Sequence, residues 1–395
     1  MPNLAEIERC TGCTSCACSC QKGAIEMISN HEGFLYPRVN NSKCVSCGLC
    51  ERVCPILNPL IVKKDKPKSF LVQNTNACER IESTSGGGFS LISKYVLKNG
   101  GIVFGASFDD CFKVRHTKID NLDDLCLFRN SKYVQSDLGT SYLSVLNHLK
   151  ANRLVLFSGT PCQINGLKSF LNLKKCSDEK LITVDVICHA VPSPLLLDKY
   201  ISYQKERHSF NKLVFRDKKY GYLCSCLSLF DNKKRVYSAT SIYDPYMRLF
   251  LHNIGLRMSC YNCESQPYTH NSDFTLWDCW QPNNLSDKKH DNLGTTNLIA
   301  WTEKSQNIVD KIRSSGLFSE VSFNKQYSGE RKHVFKLEEN RDVFFDDLNN
   351  LKADDFFRKY APITLKIRFK EKIRIILARI HLHDFVRRII WRFKH

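Results

Sequence analysis

Long apolar runs are absent from the 395 residues of this chain, and its first residues carry no apolar signal core. No stretch approaches about 18 uninterrupted apolar residues, which argues against a membrane-spanning helix. Residues 1–9 lack the hydrophobic segment of a secretory signal, so we expect a cytoplasmic protein. Hydrophobic residues make up 43% and charged residues 25%, which excludes a disordered or low-complexity chain.

Nucleotide-binding fingerprints are missing as well. Neither the G-x-G-x-x-G dinucleotide motif nor a Walker A sequence occurs, so classical use of NAD or ATP has no support. A Ser-Gly-Gly-Gly segment at residues 85–88 precedes a predicted helix, where bare backbone amides and the helix dipole could cradle a phosphate. An ordinary glycine-rich turn is the simpler interpretation of the same segment.

Cysteine is abundant instead: the chain has 20, about twice the share of an ordinary protein. A protein that is not exported keeps its thiols reduced, so metal ligation or redox chemistry explains them better than a disulfide framework. The distribution agrees, because nine of the 20 cysteines fall within the first 54 residues.

The N-terminal cysteines form two runs with one spacing, C-x2-C-x2-C-x3-C. This is the run of bacterial ferredoxins with two 4Fe-4S clusters, in which the fourth cysteine of each run ligates the other cluster. The predicted ligands of cluster one are Cys10, Cys13, Cys16 and Cys54. The predicted ligands of cluster two are Cys44, Cys47, Cys50 and Cys20.

A pair of zinc sites is the alternative, since C-x2-C motifs also suit tetrahedral zinc. Zinc sites rarely need a third and a fourth cysteine in the same run, and here both runs have them, so iron–sulfur clusters are favoured. Two positions depart from the usual pattern. Gln21 stands where proline usually follows the first run, and Cys18 is an extra thiol, either a substitute ligand or a spare.

Alternating strand and helix patterns follow a charged, proline-bearing linker at residues 59–69. Strands are predicted at residues 102–108, 153–157 and 181–187, and polar loops with helices follow the last two. Residues 212–240 are typical of antiparallel strands instead. Strand, polar loop and helix in repetition indicate an α/β body whose sites lie at the carboxyl ends of strands.

Four further cysteines lie in predicted loops beside recognisable motifs: Cys162, Cys188, Cys260 and Cys263. Cys162 is expected at a helix N-terminus, where the helix dipole would lower the pKa of its thiol. A reactive thiol, a metal ligand and a buried small residue are all open interpretations of Cys162 and Cys188. Because a cubane needs four ligands, a third 4Fe-4S cluster is the alternative to isolated functions.

His189 and Asp278 are candidate groups for substrate chemistry. His189 could protonate a reduced substrate or bond to a flavin ring, and a satisfied structural histidine is the other interpretation. Asp278 is expected at a strand end, where a helix cap or a salt-bridge partner is the simpler role.

The order of these motifs resembles the coenzyme F420 hydrogenase/dehydrogenase beta-subunit family, including bacterial members found among polysaccharide-biosynthesis genes. The resemblance covers roughly residues 5–300 and has its most specific motif, outside the ferredoxin runs, at Gly159-Thr-Pro-Cys-Gln163. Ala190, Trp277 and Cys279 depart from the family's usual residues, which puts the substrate pocket in doubt more than the electron path.

The resemblance implies an FAD-containing iron–sulfur oxidoreductase. Residues expected near FAD are Ser85, Gly86, Gly87, Thr160 and Gln163, and the four loop cysteines would ligate a cluster close to the flavin. The electron donor would be a ferredoxin or a reduced deazaflavin, and the acceptor an unidentified small molecule, for instance in polysaccharide biosynthesis. An electron-transfer protein without its own flavin and a zinc-stabilised binding protein are the alternatives.

Nearly half of the net charge of +18 lies at the C-terminus, where residues 362–395 hold ten Lys or Arg against Glu371 and Asp384. Apolar residues from Phe369 to Phe393 recur at three- and four-residue steps, which predicts an amphipathic helix that Pro362 would start. Such a helix, here with Trp391, can lie on an anionic membrane surface at the inner face. A helix packed on the body with a solvated basic face is the alternative, and no motif predicts specific nucleic-acid binding.

The sequence therefore predicts an α+β protein built in four consecutive parts. Residues 1–58 form a small ferredoxin-like domain with two 4Fe-4S clusters, and residues 59–69 are a linker. Residues 70–360 form a larger, mixed α/β flavin-binding body. Residues 361–395 contain the basic amphipathic helix.

Overall fold

The computed structural model of the chain describes residues 2–60, 66–265, 270–284, 291–327, 335–337, 339–380, 382–383 and 386. Within these ranges no helix combines the length and the apolar character needed to cross a membrane. The predicted tail residues Asp384, Trp391 and Phe393 lie outside the described residues.

The N-terminal domain is a small antiparallel hairpin between two short helices. Its elements are α1 (Ser15–Ser19), β1 (Ile25–Ser29), β2 (Leu35–Val39) and α2 (Leu49–Arg52). Each helix begins inside one of the cysteine runs, directly after a residue with a left-handed backbone, Thr14 or Gly48. The paired runs therefore fold into equivalent turns, as expected of a two-cluster ferredoxin.

The body is organised around an eight-stranded mixed sheet. Its strands are β3 (Lys68–Asn74), β4 (Ile102–Phe108), β5 (Val114–Ile119), β6 (Val155–Ser158), β7 (Leu181–Val186), β11 (Phe274–Asp278), β12 (Thr296–Ala300) and β13 (Gly316–Val321), in the spatial order β13-β3-β12-β11-β7-β6-β4-β5. Strands β4, β6, β7 and β11 run parallel to one another, and β12 is antiparallel to both β11 and β3. The carboxyl ends of β3, β11, β7 and β6 therefore lie along one edge, called the carboxyl edge below.

Both faces of the large sheet are buried, so its central strands are largely apolar on both sides. Leu156 of β6 packs into the core on the side of α4 (Gly88–Lys98) and α10 (Glu303–Ile312). Its neighbour Phe157 packs into the opposite core, beneath α5 (Ser141–Lys150) and α6 (Pro161–Leu173). The short helix α3 (Ala77–Glu82) joins β3 to α4.

A second, three-stranded antiparallel sheet has the order β10-β9-β8, from β8 (Lys212–Asp217), β9 (Cys226–Asp231) and β10 (Lys234–Thr240). It shares a core with several helices of the C-terminal half. The remaining helices are α7 (Pro194–Lys205), α8 (Pro245–Leu251), α9 (Met258–Tyr261), α11 (Phe323–Tyr327), α12 (Arg341–Asn350), α13 (Ala353–Tyr360) and α14 (Leu365–Arg379).

The mixed α/β architecture with an N-terminal ferredoxin-like region is confirmed, and two local predictions are wrong. Strand β3 begins at Lys68, inside the predicted linker, because Lys68 pairs with Ala300 of β12. Helix α14 does not start at Pro362. It starts after Thr364, whose hydroxyl accepts a hydrogen bond from the Ile367 amide at 3.3 Å and so caps the helix.

Candidate iron–sulfur centres and the carboxyl edge

Cys10, Cys13 and Cys16 of the first run meet Cys54 from the end of the second run. All four line one small cavity. Burial raises the pKa of Cys16 well above its ordinary value, and the neighbouring thiolates of Cys13, Cys10 and Cys54 raise it further. Four thiols gathered from two turns are the ligand set that a 4Fe-4S cluster takes, in the interleaved pairing that the spacing predicts.

For the predicted ligands of cluster two, the structure gives contacts of Cys50 and Cys20. Burial raises the pKa of Cys50, and Cys47 adds to the rise. Cys20 accepts a hydrogen bond from the Ala24 amide at 3.2 Å, so its sulfur is held at the end of the first turn. The assignment of Cys20 and Cys44 to cluster two stays a prediction.

The extra thiol of Cys18 is directed to the body of the protein. Its sulfur lies 3.8 Å from the Gly139 carbonyl oxygen and 4.0 Å from the Thr14 hydroxyl. Cys18 also packs against the core beneath α5 and α6. These contacts favour a spare, packed thiol over a substitute ligand.

Cys162, Cys188, Cys260 and Cys263, called the body cysteines below, come together from three separate segments: the first turn of α6, the loop after β7, and α9 with the residues that follow it. Burial raises the pKa of Cys162 to about 12, with further rises from Cys263 and Cys260. Burial likewise raises the pKa of Cys188, and the thiolates of Cys260, Cys162 and Cys263 add to it. The expected lowering of the Cys162 pKa by the helix dipole is therefore wrong, because burial among other thiols outweighs the dipole.

The body cysteines supply four thiols that raise one another's pKa. Four thiolates are the donors that a 4Fe-4S cluster takes, and they also suit tetrahedral zinc. A third cluster at the body cysteines therefore stays a prediction.

Helix α6 connects the two cysteine groups. Cys162 lies in its first turn, and the charge of Cys13 contributes to the raised pKa of Cys162. One turn further along, a Cβ built on Gly166 would lie 2.8 Å from the Cys13 Cβ and 3.0 Å from its sulfur. Ser15 donates to the Gly166 carbonyl at 2.8 Å. The first cluster group therefore packs directly on the helix that begins at the body cysteines.

Arg257 lies between the same two groups and is only 1% exposed. Its guanidinium donates to the Cys10 carbonyl at 2.9 Å, to Gln135 at 2.8 Å and to the Leu35 carbonyl at 3.0 Å. Its Nη2 also lies 3.9 Å from the Cys10 sulfur. Burial raises the pKa values of Cys10 and Cys260, and the charge of Arg257 opposes both rises. One fixed positive charge therefore acts on both groups.

A buried ion pair fixes the ferredoxin-like domain to the body. Arg341 of α12 forms a two-pronged salt bridge with Glu32, with N–O distances of 2.6 and 2.7 Å, and both side chains are buried. Ser193 also donates from its hydroxyl to the Glu32 carbonyl. The domain arrangement is therefore held by polar contacts inside the protein.

The predicted flavin residues of the glycine segment are engaged with the protein. The Thr296 hydroxyl accepts from the Gly86 amide at 2.9 Å and bonds with the Ser85 hydroxyl at 2.8 Å. A Cβ on Gly86 would come within 2.2 Å of the Val72 carbonyl, and Gly87 has a positive φ of 85°. Close packing on β3 and β12 therefore explains why glycine is needed here.

Thr160 and Gln163 cap helix α6. The Gln163 side chain accepts from the Thr160 amide at 2.9 Å and donates to the Ser136 hydroxyl at 3.0 Å. The Thr160 hydroxyl lies 3.1 Å from the Cys162 sulfur. Both residues hold the loop of Cys162 in place, and their role at a flavin stays a prediction.

No described contact joins His189 to Asp278. His189 bonds to the Asn253 side chain at 2.8 Å and lies edge-on to Phe250, with ring centroids 5.0 Å apart. Asp278 ends β11 at the carboxyl edge and forms a salt bridge with Arg216 at 3.2 Å, the partner role expected for it. Its other oxygen accepts from the Tyr222 hydroxyl at 2.8 Å.

Arg216 is a residue at the carboxyl edge with open hydrogen-bonding capacity, and sequence reasoning missed it. Its Nη1 bonds to Tyr133 and Asp278, while within the described part of the chain the buried Nε and Nη2 have no hydrogen-bond partner. Its guanidinium lies 4.9 Å from the centre of the Trp280 ring. No motif surrounds Arg216, so only the folding of β8 against the large sheet brings it to this edge.

Lys218, two residues along, was missed for the same reason. Its ammonium donates to three backbone carbonyls, those of Arg80, Ser85 and Leu293, at 2.6 to 2.7 Å. Burial lowers the pKa of Lys218 to about 7. The lysine ties the glycine segment to the loop before β12.

Comparison with known families supports the predicted resemblance. The family described as the C-terminal part of the coenzyme F420 hydrogenase/dehydrogenase beta subunit matches residues 152–326, and the 4Fe-4S dicluster domain matches residues 9–57. The chain is therefore similar to the coenzyme F420 hydrogenase/dehydrogenase beta-subunit family over its central part, behind a dicluster domain. The predicted resemblance and the dicluster domain are thus confirmed, and the relationship to an iron–sulfur oxidoreductase family is supported.

Individual relatives match over shorter stretches. Over 165 residues, 40% of the chain, it is 28% identical to a coenzyme F420-dependent sulfite reductase of Methanocaldococcus jannaschii, and the match covers 24% of that relative. Over 66 residues, 15% of the chain, it is 35% identical to a polyferredoxin-like protein of the same organism, of which 39% is covered. The chain therefore spans less than half the length of these curated relatives.

A solved structure of similar size is found in the F420-reducing [NiFe] hydrogenase complex of Methanosarcina barkeri. The match covers 76% of this chain and 92% of the other, with 15% sequence identity and a TM-score of 0.46.

Proposed function

We propose that this protein is an iron–sulfur flavoprotein that takes electrons from a ferredoxin or a reduced deazaflavin and delivers them to a small molecule. The observation that supports this is the order of the two thiol groups in space. The predicted ligands of cluster one pack on α6, and α6 begins at the body cysteines. When bound, 4Fe-4S clusters exchange single electrons, and FAD can pass them on in pairs.

The chain's own residues prepare these positions. The body cysteines are raised in pKa by burial, so they release protons when they bind iron, and assembly is favoured at higher pH. Arg257 sets one positive charge beside Cys10 and Cys260. With clusters bound, that charge would stabilise the reduced form on either side.

At the carboxyl edge, Arg216 is the residue we assign to the anionic part of FAD or of the substrate. Its Nε and Nη2 are buried donors without a hydrogen-bond partner among the described residues. Buried donors need an acceptor, and a bound anion would supply one. Asp278 and Tyr133 hold the guanidinium in position, and Trp280 covers its face. Ser85, Gly86, Thr160 and Gln163 would shape this edge rather than donate to the cofactor, because their polar groups are engaged elsewhere. Gly87 would let the backbone approach the cofactor closely.

His189 would act as the proton donor for a reduced substrate. The Asn253 side chain orients the His189 ring. Phe250 contacts both His189 and Tyr133, and the ring centroids of Phe250 and Tyr133 are 4.8 Å apart. The sequence resembles family members found among polysaccharide-biosynthesis genes. An oxidised or unsaturated sugar intermediate is therefore the substrate to assay first.

Flavin content after purification without oxygen tests the proposal. We expect about one FAD per chain in the wild type and a marked loss in Arg216→Met. The matched control is Arg235→Met on β10, because Arg235 pairs with Asp217 at the surface of the smaller sheet. A wild-type protein with clusters but no flavin would contradict the proposal and favour an electron-transfer protein without its own flavin.

A further inference from the structure

Helix α14 contacts the body on one side. Glu371 is 7% exposed and accepts a hydrogen bond from the Thr240 amide at 2.9 Å, and the Thr240 hydroxyl donates to its other oxygen. Ala378, two turns later on the same side, is also buried. The body therefore contacts the side of α14 that carries Glu371 and Ala378.

Five large apolar side chains lie on the opposite side of the helix and are exposed. They are Leu365, Phe369, Ile373, Ile376 and the C-cap residue Ile380, called the apolar stripe below, and their exposures are 83, 66, 41, 56 and 54%. Ile367, Ile375 and Leu377 are half-buried and lie outside the stripe. At about 100° per residue, the stripe fills a sector of roughly 80° on the side opposite Glu371 and Ala378. The stripe is therefore not the side by which α14 packs on the body.

Basic side chains border the stripe on both sides. The same helical geometry places Arg368, Lys372 and Arg379 along one border and Lys366 and Lys370 along the other. Glu371, the acidic residue within α14, is turned inwards and bonded to Thr240. The outward face therefore combines large apolar side chains with a net positive charge.

This combination fits the boundary between lipid headgroups and acyl chains. Apolar side chains can enter the acyl region while Lys and Arg on both borders meet anionic headgroups. A second copy of the helix would bring two rows of like charge together, which opposes self-association. A nucleic acid would leave five large apolar side chains without an apolar partner.

We propose that α14 docks this protein on an anionic membrane surface, with the helix axis in the plane of the interface and the apolar stripe inserted. The helix is fixed to the body through Glu371 and Thr240, so membrane binding by α14 would hold the whole protein at the surface. A loosely attached tail would not fix the position of the body. The proposal concerns attachment, and it does not depend on which cofactors or substrate the body binds.

Flotation of the purified holoprotein with vesicles tests the proposal. Vesicles of equal parts phosphatidylglycerol and phosphatidylcholine should carry the wild type, and pure phosphatidylcholine vesicles should carry much less. The double variant Phe369→Ser with Ile376→Ser should partition about tenfold less well or worse, because two exposed apolar anchors are lost. Substituting Lys366→Gln with Lys372→Gln should weaken binding to the anionic vesicles alone.

A matched control removes exposed apolar side chains elsewhere. Leu122→Ser with Val343→Ser changes residues that are 43 and 50% exposed and lie outside α14, and it should bind as the wild type does. Unchanged iron content confirms that each variant folds. No binding to anionic vesicles at low salt, or equal binding by the stripe variant, would overturn the proposal. Concentration-dependent self-association that the stripe variant abolishes would overturn it too, by assigning the stripe to a second copy.

Discussion

Arg257 has an environment that a merely structural arginine does not need. It is buried, it donates to three backbone or side-chain oxygens, and its Nη2 also lies 3.9 Å from the Cys10 sulfur. Hydrogen bonds and charge near the sulfurs are among the factors that set the potential of an iron–sulfur cluster. We therefore interpret Arg257 as a residue that both positions Cys10 and tunes cluster one.

Replacing Arg257 by Gln should lower the midpoint potential of cluster one. The reduced cluster carries one more negative charge, so it loses more stabilisation than the oxidised cluster when the positive charge is removed. A charge-assisted contact of this kind corresponds to a shift on the order of 60 mV or more. Redox titration followed by electron paramagnetic resonance measures it.

Two controls separate tuning from folding. Arg257→Lys keeps the charge and should shift the potential much less, and the exposed Arg38→Gln should not shift it. An unchanged potential in Arg257→Gln, with full iron content, would show that the arginine is structural only.

At the residue scale, the sequence predicted what local spacing encodes. Cys10, Cys13 and Cys16 belong to one turn, so the spacing alone places their sulfurs together. The second run has the same spacing, which predicts that its last cysteine, Cys54, joins these three. Arg257 and Arg216 carry no such signal. Their roles depend on contacts with residues more than 60 positions away, and no local pattern records those contacts.

At the scale of elements, α6 is the piece that brings the cysteine groups together. Its N-terminal turn carries Cys162 and is closed by the capping box of Thr160 and Gln163. Its outer face has a glycine, Gly166, where Cys13 approaches most closely. The helix therefore needs both a fixed start and a bare position one turn later.

Gly166→Ala should disturb cluster one although alanine favours the helix. The added Cβ would come within 2.8 Å of the Cys13 Cβ, so Cys13 or the helix must shift. We expect a destabilisation of about 1–3 kcal/mol, typical of overpacking, and a lower occupancy of cluster one. Thermal unfolding and iron content of the anaerobic protein measure the two effects.

The comparison variant is Lys168→Ala on the same helix, which is half-buried and should leave the iron content unchanged. If Gly166→Ala had normal iron and a raised melting temperature, the close approach of Cys13 to α6 would be refuted.

Element predictions succeeded where an apolar pattern was unbroken. The predicted strand at residues 102–108 coincides with β4, and residues 212–240 form three antiparallel strands. The first residues of β3 were assigned to a linker, because Lys68 and the prolines before it are typical of linkers and precede the apolar residues of the strand. The start of α14 was displaced because Thr364 caps the helix, and Pro362 lies before the cap.

At the scale of the whole molecule, the ferredoxin-like domain is a docked part of the body. The buried Glu32–Arg341 pair links the domain to α12, more than 300 residues away in sequence. Charge composition alone could not predict this pair, since each partner resembles an ordinary surface residue. Apart from the end of the linker, which β3 shortens, the domain boundaries stay predictions, whereas the docking contacts are defined.

Breaking the pair with Arg341→Met should lower the stability by about 3–5 kcal/mol, because Glu32 would be left buried and uncompensated. Replacing both residues by apolar ones should cost less than either single change. Thermal unfolding of the holoprotein measures this, with the exposed Arg9→Gln at the Glu264 pair as the comparison. Additive losses in the two singles and the double variant would contradict a direct interaction.

Iron and acid-labile sulfide per chain test the central claim most directly. The protein is purified without oxygen as wild type, as Cys162→Ala with Cys188→Ala, and as Cys176→Ala, which removes a thiol outside the three groups. We expect about twelve irons in the wild type and the Cys176 variant and about eight in the double variant, with matching sulfide. About eight irons in all three proteins would show that the body cysteines hold no cluster, and zinc without sulfide would contradict the iron–sulfur interpretation altogether.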